Sequence, residues 1–361
     1  MTDAAAVTIT PPDPDQVARF ARDVAPFVPP QLAGEGDHAK HGGGENPDRS
    51  AMPLHQPSAG PPPHAMHGED LAVAVSGGPD SLALLLLASA ALPGRVAAVT
   101  VDHGLRPEAA GEARFAADLC TVLSVPHATL RVTVADDPAG IQAAARRERY
   151  AAMAQWAHAR GIAALATAHH LDDQAETVMM RLERGAGVAG LSGIRPDRAL
   201  ADGVRLIRPL LGWRRSELGT IVRAAGLSAI DDPSNRDPRF DRAAVRARLA
   251  EGWPDPTRLA AVASHMAQAE DALAFTADRL FAERYESDSA TLAAADLPRE
   301  LRRRLLIAAL ARLAPHAILR GDEVDRLLDR LAENRVSTLA GLRIQPGRTW
   351  RFTPAPPHRS A

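Results

Sequence analysis

Apolar residues follow two different rhythms along this chain. In the first region they come as short, nearly unbroken runs: Leu71 to Val75, Arg95 to Val101, His127 to Val134 and Ile162 to Ala166. Runs of that length bounded by turn residues fit strands of a parallel sheet buried on both faces. Helix-forming stretches lie between them, Leu82 to Ala91, Pro107 to Ser124 and Pro138 to Arg160. Strands alternating with helices imply right-handed crossovers and an α/β fold with a doubly wound parallel sheet. From Pro254 onward the period becomes helical, over Thr257 to Glu286, Asp296 to Leu313 and Gly321 to Asn334. The last segments, Ser337 to Ile344 and Thr349 to Thr353, predict a short hairpin around Pro346-Gly347. Upstream, Asp15 to Phe27 predicts a short helix, and the stretch from about Pro29 to Gly68 has neither period. Dense in Pro, Gly and His, that stretch cannot bury enough apolar surface to order itself and reads as a disordered linker. Three regions follow: an N-terminal extension over 1–70, an α/β domain over 71–253 and a smaller, mostly helical domain over 254–361.

Composition narrows the class. With 361 residues, 46% of them hydrophobic, the chain has material for two sizeable cores. The longest apolar run, Leu82 to Leu92, is too short to cross a bilayer, so no membrane association is expected. The start lacks a basic segment followed by an apolar one, which predicts a cytoplasmic protein. A single cysteine, Cys120, excludes a disulfide framework, a Cys-x-x-Cys metal site and a cysteine-ligated iron–sulfur cluster. Five histidines in the linker, His38, His41, His55, His64 and His67, lack the fixed spacing of metal ligands. The formal net charge of −2 is unevenly spread. Residues 1–70 carry ten acids and four bases, and residues 205–250 carry ten Arg against five acids. A cationic band of that kind suits a phosphate backbone.

Candidate chemistry collects at predicted strand ends, where ligands of such sheets bind. After the first strand comes Ser76-Gly77-Gly78-Pro79-Asp80-Ser81. The two glycines free the backbone to point successive N–H groups at one anion, and the following helix adds the positive end of its dipole. Ser81 reads as a hydroxyl donor to phosphate oxygens. Asp80 is repulsive to an anion unless a divalent cation lies between them, so it reads as a Mg²⁺ handle on a nucleotide's phosphates. The loop is not of the Walker type, which needs a Lys before its Ser/Thr; the one lysine is Lys40. After the second strand come Asp102 and His103. After the fourth comes Thr167-Ala168-His169-His170-Leu171-Asp172-Asp173-Gln174-Ala175-Glu176-Thr177. Asp173 and Glu176 share one helix face, and with His169 they are placed to close around one reacting centre or a metal ion. Capping acids beside two packed histidines remain the plainer alternative.

The order of these segments carries a resemblance. S-G-G-P-D-S at 76–81, V-D-H-G-L-R at 101–106, R-R-E-R-Y at 146–150, A-H-H-L-D-D-Q-A-E-T at 168–177, R-G-A-G-V-A-G-L at 184–191, R-P-L-L at 208–211 and D-D-P-S-N-R-D-P-R-F at 231–240 resemble, in this order, the tRNA(Ile)-lysidine synthases among the PP-loop (N-type) ATP pyrophosphatases. The match runs from about Leu71 to Leu249. Where that family usually has x-R-N-R-I-R, this chain reads Asp241-Arg242-Ala243-Ala244-Val245-Arg246, so only Arg242 and Arg246 carry over. The resemblance implies a Rossmann-like fold and a ligase that joins free L-lysine to the wobble cytidine of an isoleucine tRNA with a CAU anticodon, using ATP and Mg²⁺. It implies ATP contacts from Ser76 to Ser81, Asp102 and His103, with Asp80 at the metal. It implies catalytic roles for His169, Asp173, Glu176 and Arg242, with the group that deprotonates lysine left open among the first three. It also implies tRNA contacts from Arg205, Arg208, Arg246 and Arg303, and leaves room for a homodimer. A tRNA-thiolating enzyme, an amide ligase acting on a small metabolite and a non-catalytic nucleotide-binding module are the competing readings; the first needs cysteines that this chain lacks.

Overall fold

In the computed structural model, which describes residues 9–28, 69–104, 109–134, 140–229 and 241–356, each apolar run of the first region becomes a strand. In chain order the elements are α1 (Pro14–Val24), β1 (Leu71–Ala74), α2 (Pro79–Ala91), β2 (Val96–Asp102), α3 (Ala109–Val122), β3 (His127–Arg131), α4 (Ile141–Ala159) and β4 (Ala164–Ala166). They continue with α5 (Leu171–Glu183), α6 (Val188–Leu191), β5 (Asp197–Ala201), β6 (Val204–Ile207), α7 (Arg215–Ala224) and α8 (Asp241–Ala250). Six strands form one sheet in the order β3-β2-β1-β4-β6-β5, parallel except for the β5–β6 pair. Strand β1 is interior, with Val73 in register with Ala98 on one side and Ala166 on the other. Its side chains alternate between two cores, as a period of two requires. Leu71 and Val73 join α1, α2, α3 and α7, whereas Ala72 joins Met153 and Ala157 of α4.

The β5–β6 hairpin departs from the sequence reading. Asp197-Arg198-Ala199-Leu200-Ala201 has no β-branched residue, and only the Asp202-Gly203 pair, with Gly203 at φ 71°, marks the turn. The N-terminal helix departs too: Phe20 and Val24 of α1 are buried in the core with α2 and α7, so this part of the extension belongs to the α/β fold. The expected linker from Pro29 to Gly68, Arg106, and the run from 231 to 240 lie outside the described residues.

The chain divides into two units, residues 1–186 with 193–263 and residues 187–192 with 264–361. The division falls within α9 (Pro256–Arg284) rather than after Trp253, since Leu259 and Ala263 of its first turns are buried and fall in the first unit. The second unit adds β7 (Tyr285–Glu286), β8 (Thr291–Leu292), α10 (Arg299–Leu313), α11 (Gly321–Ala332), β9 (Ser337–Leu339), β10 (Leu342–Gln345) and β11 (Trp350–Pro354). The expected hairpin is part of a five-stranded antiparallel sheet, β7-β8-β11-β10-β9, because a turn with positive φ at Ala340 and Gly341 folds its first arm into two strands. Leu305, Leu306, Leu310, Leu328, Ile344 and Trp350 form its core. Among the described residues no helix is long and apolar enough to cross a membrane.

Candidate active site

The loop after β1 is shaped by its own residues. Gly77 takes φ 79°, a conformation that side chains with a Cβ resist. Pro79 opens α2, where it has no helical hydrogen bond to lose. Gly78 caps the helix without a side-chain bond, leaving the first N–H groups of α2 available to an anion. Ser81 does something other than expected. Its Oγ donates to Gly78 O at 2.9 Å and accepts from Ser76 N at 3.1 Å, and Ser76 Oγ lies 3.2 Å away. The hydroxyl proton is committed inside the loop, so Ser81 shapes the anion cradle rather than donating into it.

Over this loop, at the carboxyl ends of β1, β2 and β4, lies a cavity of about 400 Å³. It brings together Ser76, Gly78, Pro79, Asp80 and Ser81 with His169, Asp173, Arg242 and Arg246. Residues far apart in sequence are joined here by hydrogen bonds. Buried His170 caps α5: its Nδ1 accepts from Asp173 N at 3.3 Å, and Asp173 Oδ2 accepts from His170 N at 3.0 Å. The other ring nitrogen, Nε2, lies 3.5 Å from Asp80 Oδ2. A ring carrying its proton on Nε2 meets both contacts, and it ties the phosphate loop to α5. Glu176, only 2% exposed, accepts from Arg242 Nε at 2.8 Å, Arg246 Nε at 2.7 Å and Arg246 Nη2 at 3.2 Å. Arg242 Nη2 also donates to Asp173 Oδ1 at 3.1 Å. Helix α8 is thereby clamped onto α5, with two guanidinium groups lining the cavity.

The electrostatics separate the candidates. Burial pushes the His169 imidazole down to about 4, helped by Arg208, Arg146 and Arg242 and opposed by Asp173. That ring is neutral at physiological pH, with Nδ1 3.0 Å from Thr167 Oγ1. His170 moves the other way, because Asp80, Asp173 and Asp172 together outweigh the burial that disfavours its charge. For Asp173, burial favours the neutral acid, but His170, Arg242 and His169 prevail and hold its carboxyl below the usual range. Glu176 does not line the cavity, and both its oxygens are engaged by arginines. Its carboxylate holds Arg242 and Arg246 in place.

Other expected contacts lie elsewhere. Asp102 accepts from Gly104 N at 2.9 Å and lines a separate cavity with Arg114, Thr129 and Arg131; neither it nor His103 lines the loop cavity. Arg208 is buried and donates from Nη1 to Arg195 O at 2.6 Å. Arg205 pairs with Asp197 across the β5–β6 hairpin. Arg303 donates from Nε to Asp325 Oδ1 at 3.1 Å, and its neighbour Arg304 is held by Glu270 and Glu300. These arginines brace the fold because each has a carboxylate or carbonyl within reach, something that a charge count along the chain does not register. Conversely, Arg146, Arg149 and Tyr150 of α4, together with Arg215, line the cavity without having been assigned to it. The R-R-E-R-Y run was their signal: residues 146, 149 and 150 share one helix face.

A cation fits this site in one way. Asp80 Oδ1 is buried without a hydrogen-bond partner, as expected of an oxygen awaiting a ligand. Among the described residues no group of three or more His, Cys, Asp and Glu converges to hold a metal, so Asp80 would hold Mg²⁺ as a single carboxylate, with phosphate oxygens and waters completing the ion's shell.

Several known proteins are similar to this chain. Residues 55–252 match the model of the PP-loop domain family. The tRNA(Ile)-lysidine synthase of Zymomonas mobilis is 44% identical over 81% of this chain and 90% of its own length. That of Novosphingobium aromaticivorans is 45% identical over 80% and 90%, and that of a Bradyrhizobium species is 40% identical over 80% and 91%. A U34-tRNA thiolase from Methanococcus maripaludis superposes with a TM-score of 0.47 at 16% identity, covering 72% of this chain and 80% of that one. From the PP-loop match and the extent of these identities, the chain belongs to the tRNA(Ile)-lysidine synthase family.

Proposed function

We propose that this ATP-dependent ligase converts the wobble cytidine of an isoleucine tRNA bearing a CAU anticodon into lysidine. The observation that carries the reading is a single cavity in which the phosphate loop, Asp80, the His170–Asp173 cap and the Arg242–Arg246 pair all meet. The C2 carbonyl of cytosine is a poor electrophile with no leaving group. Its oxygen therefore attacks the α-phosphorus of ATP, expelling pyrophosphate, and the resulting adenylate makes AMP the leaving group. The lysine ε-amine then adds to C2 and displaces AMP.

Each step draws on specific residues. The uncapped N–H groups of α2 and the cavity's arginines, Arg146, Arg149, Arg215, Arg242 and Arg246, receive the phosphates and the charge that develops on the departing pyrophosphate. Asp80 would hold Mg²⁺, which would supply charge neutralisation for the phosphates. The attacking amine must be neutral. Of the candidate acceptors Glu176 is saturated, and both Asp173 oxygens have donors in His170 N and Arg242 Nη2. His169, neutral and lining the cavity, is the acceptor that remains for the proton the amine sheds as its bond to C2 forms. Sulfur transfer has no place here, since Cys120 is buried in α3 and burial pushes its thiol up to about 12.

The tRNA body requires free cations. Arg343 of β10 and Arg351 of β11 are exposed and make no ion pair among the described residues, so they replace the tethered Arg303 as the proposed phosphate contacts. The test is to incubate the chain with ATP, labelled lysine and isoleucine tRNA transcripts carrying CAU or a control anticodon. Label is expected in the CAU transcript alone; label in neither, or equally in both, would overturn the reading.

A further inference from the structure

One cluster of polar contacts outside the cavity joins an element with no part in the reaction to residues that have one. Trp213 has 0% exposure and is gripped from α1. Asp23 Oδ2 accepts the indole N–H at 2.8 Å, and the Arg19 guanidinium carbon stands 4.0 Å from the ring centroid. Arg19 also donates from Nη2 to Gly212 O at 2.6 Å and from Nη1 to Glu217 Oε1 at 2.9 Å. The other Glu217 oxygen accepts from Arg214 N at 2.7 Å. All these holds fall on residues 212–217.

That segment is the socket for the amino end of α5. Trp213 O accepts Leu171 N at 2.9 Å, satisfying a helix-terminal N–H that has no partner within its own helix. The Asp172 carboxylate accepts from Arg215 N at 2.7 Å and from Arg214 Nη2 at 3.0 Å. Leu171 and Asp172 lie between His170, which faces Asp80, and Asp173, which faces Arg242. Phe20, Val24 and Val28 already anchor α1 by burial. Apolar anchoring is non-directional, whereas the Asp23 and Arg19 bonds fix where residues 212–217 stand.

We infer that α1 is a clasp for the active site: Asp23 and Arg19 are positioning residues that act through Trp213 and Asp172 to set the amino end of α5 against the phosphate loop. The inference rests on the lysine-transfer reading for its kinetic test, and a second readout is independent of that reading. Asp23→Leu removes the acceptor for the indole, while Asp23→Asn keeps one. In the full chain, Asp23→Leu is expected to lower kcat about tenfold or more at saturating ATP, lysine and tRNA, with each KM within about threefold of wild type, the loss that a small misplacement of reacting groups produces. Asp23→Asn is expected to restore kcat to within about threefold. Amide exchange in the peptide spanning 167–178 should quicken in Asp23→Leu and not in Asp23→Asn. Wild-type kcat, a loss matching only the unfolded fraction seen by circular dichroism, or faster exchange confined to α1 would overturn the clasp. If Asp23→Leu does not fold, Arg19→Met with Arg19→Lys as its conservative partner is judged by the same two readouts. A wild-type chain that leaves RNA unlabelled would sink the proposed function, and the clasp would then stand or fall on the exchange data.

Discussion

Replacing Glu176 by glutamine keeps the shape of a buried side chain and removes its charge. In the native site the carboxylate takes three N–H bonds from Arg242 and Arg246. Glutamine offers one acceptor oxygen, and its NH₂ faces a guanidinium donor, so at least one bond is lost and a donor–donor contact replaces it. Breaking a fully buried ion pair costs about 3–5 kcal/mol. Arg242 and Arg246 are 41% and 33% exposed, so water recovers part of that, and about 2 kcal/mol remains. For a domain of this size the loss corresponds to a fall in Tm of roughly 4–8 °C. The freed arginines repel each other and leave the position in which they meet phosphate, so kcat should fall about a hundredfold, the scale of one preorganised electrostatic group. The assay pairs thermal unfolding with lysine incorporation across pH. As a holder of arginines, Glu176→Gln should lose Tm and kcat together while the pH profile keeps its shape. An unchanged Tm with loss of one limb of the profile would show that Glu176 is itself the base and refute this assignment.

Asp80→Ala should abolish tRNA-dependent AMP and pyrophosphate formation while leaving the circular dichroism spectrum unchanged; normal turnover at ordinary Mg²⁺ would remove its role at the metal. His169, held at about 4 when folded and near 6.5 when unfolded, binds its proton more readily in the unfolded chain, so stability is unaffected above pH 6.5 and falls as pH drops from 6.5 to 4. The full effect is about 3 kcal/mol at most, and denaturant titrations of His169→Gln should show a flatter stability curve across that window; parallel curves would contradict the assignment. Arg303→Ala should cost about 0.5 kcal/mol of stability through its lost pair with Asp325 and leave the KM for tRNA alone. Arg351→Ala should instead raise that KM and lower the salt slope of tRNA binding by about one, and the reverse pattern would return the phosphate contact to α10.

What the sequence disclosed follows from which interactions are local. The parallel strands and the phosphate loop were legible because continuous apolar runs and a Gly-Gly-Pro turn need only their neighbours to declare a conformation. The site helix was legible for the same reason: His170, Leu171, Asp172 and Asp173 announce a helix start. Roles that depend on distant partners were not legible. Glu176 and Asp173 share a helix face, yet one holds two arginines from α8 while the other lines the cavity, and only tertiary structure separates them. The Arg-rich band is divided in the same way. Arg208 is buried and Arg205 is paired with Asp197, whereas Arg242 and Arg246 are held by Glu176 at the cavity, a division that a count of positive charge does not make. Helix α1 was visible as a helix, but its attachment to Trp213 joins residues 190 positions apart, beyond the reach of any local pattern.

The central claim is that this cavity adenylates a cytidine before lysine attacks it, and the stoichiometry of nucleotide products tests that directly. With the CAU-bearing tRNA, lysine and ATP, one AMP and one pyrophosphate should appear for each lysine joined to RNA, and neither should form when the anticodon is changed. ADP and inorganic phosphate as products, or AMP released at the same rate without the tRNA, would contradict it.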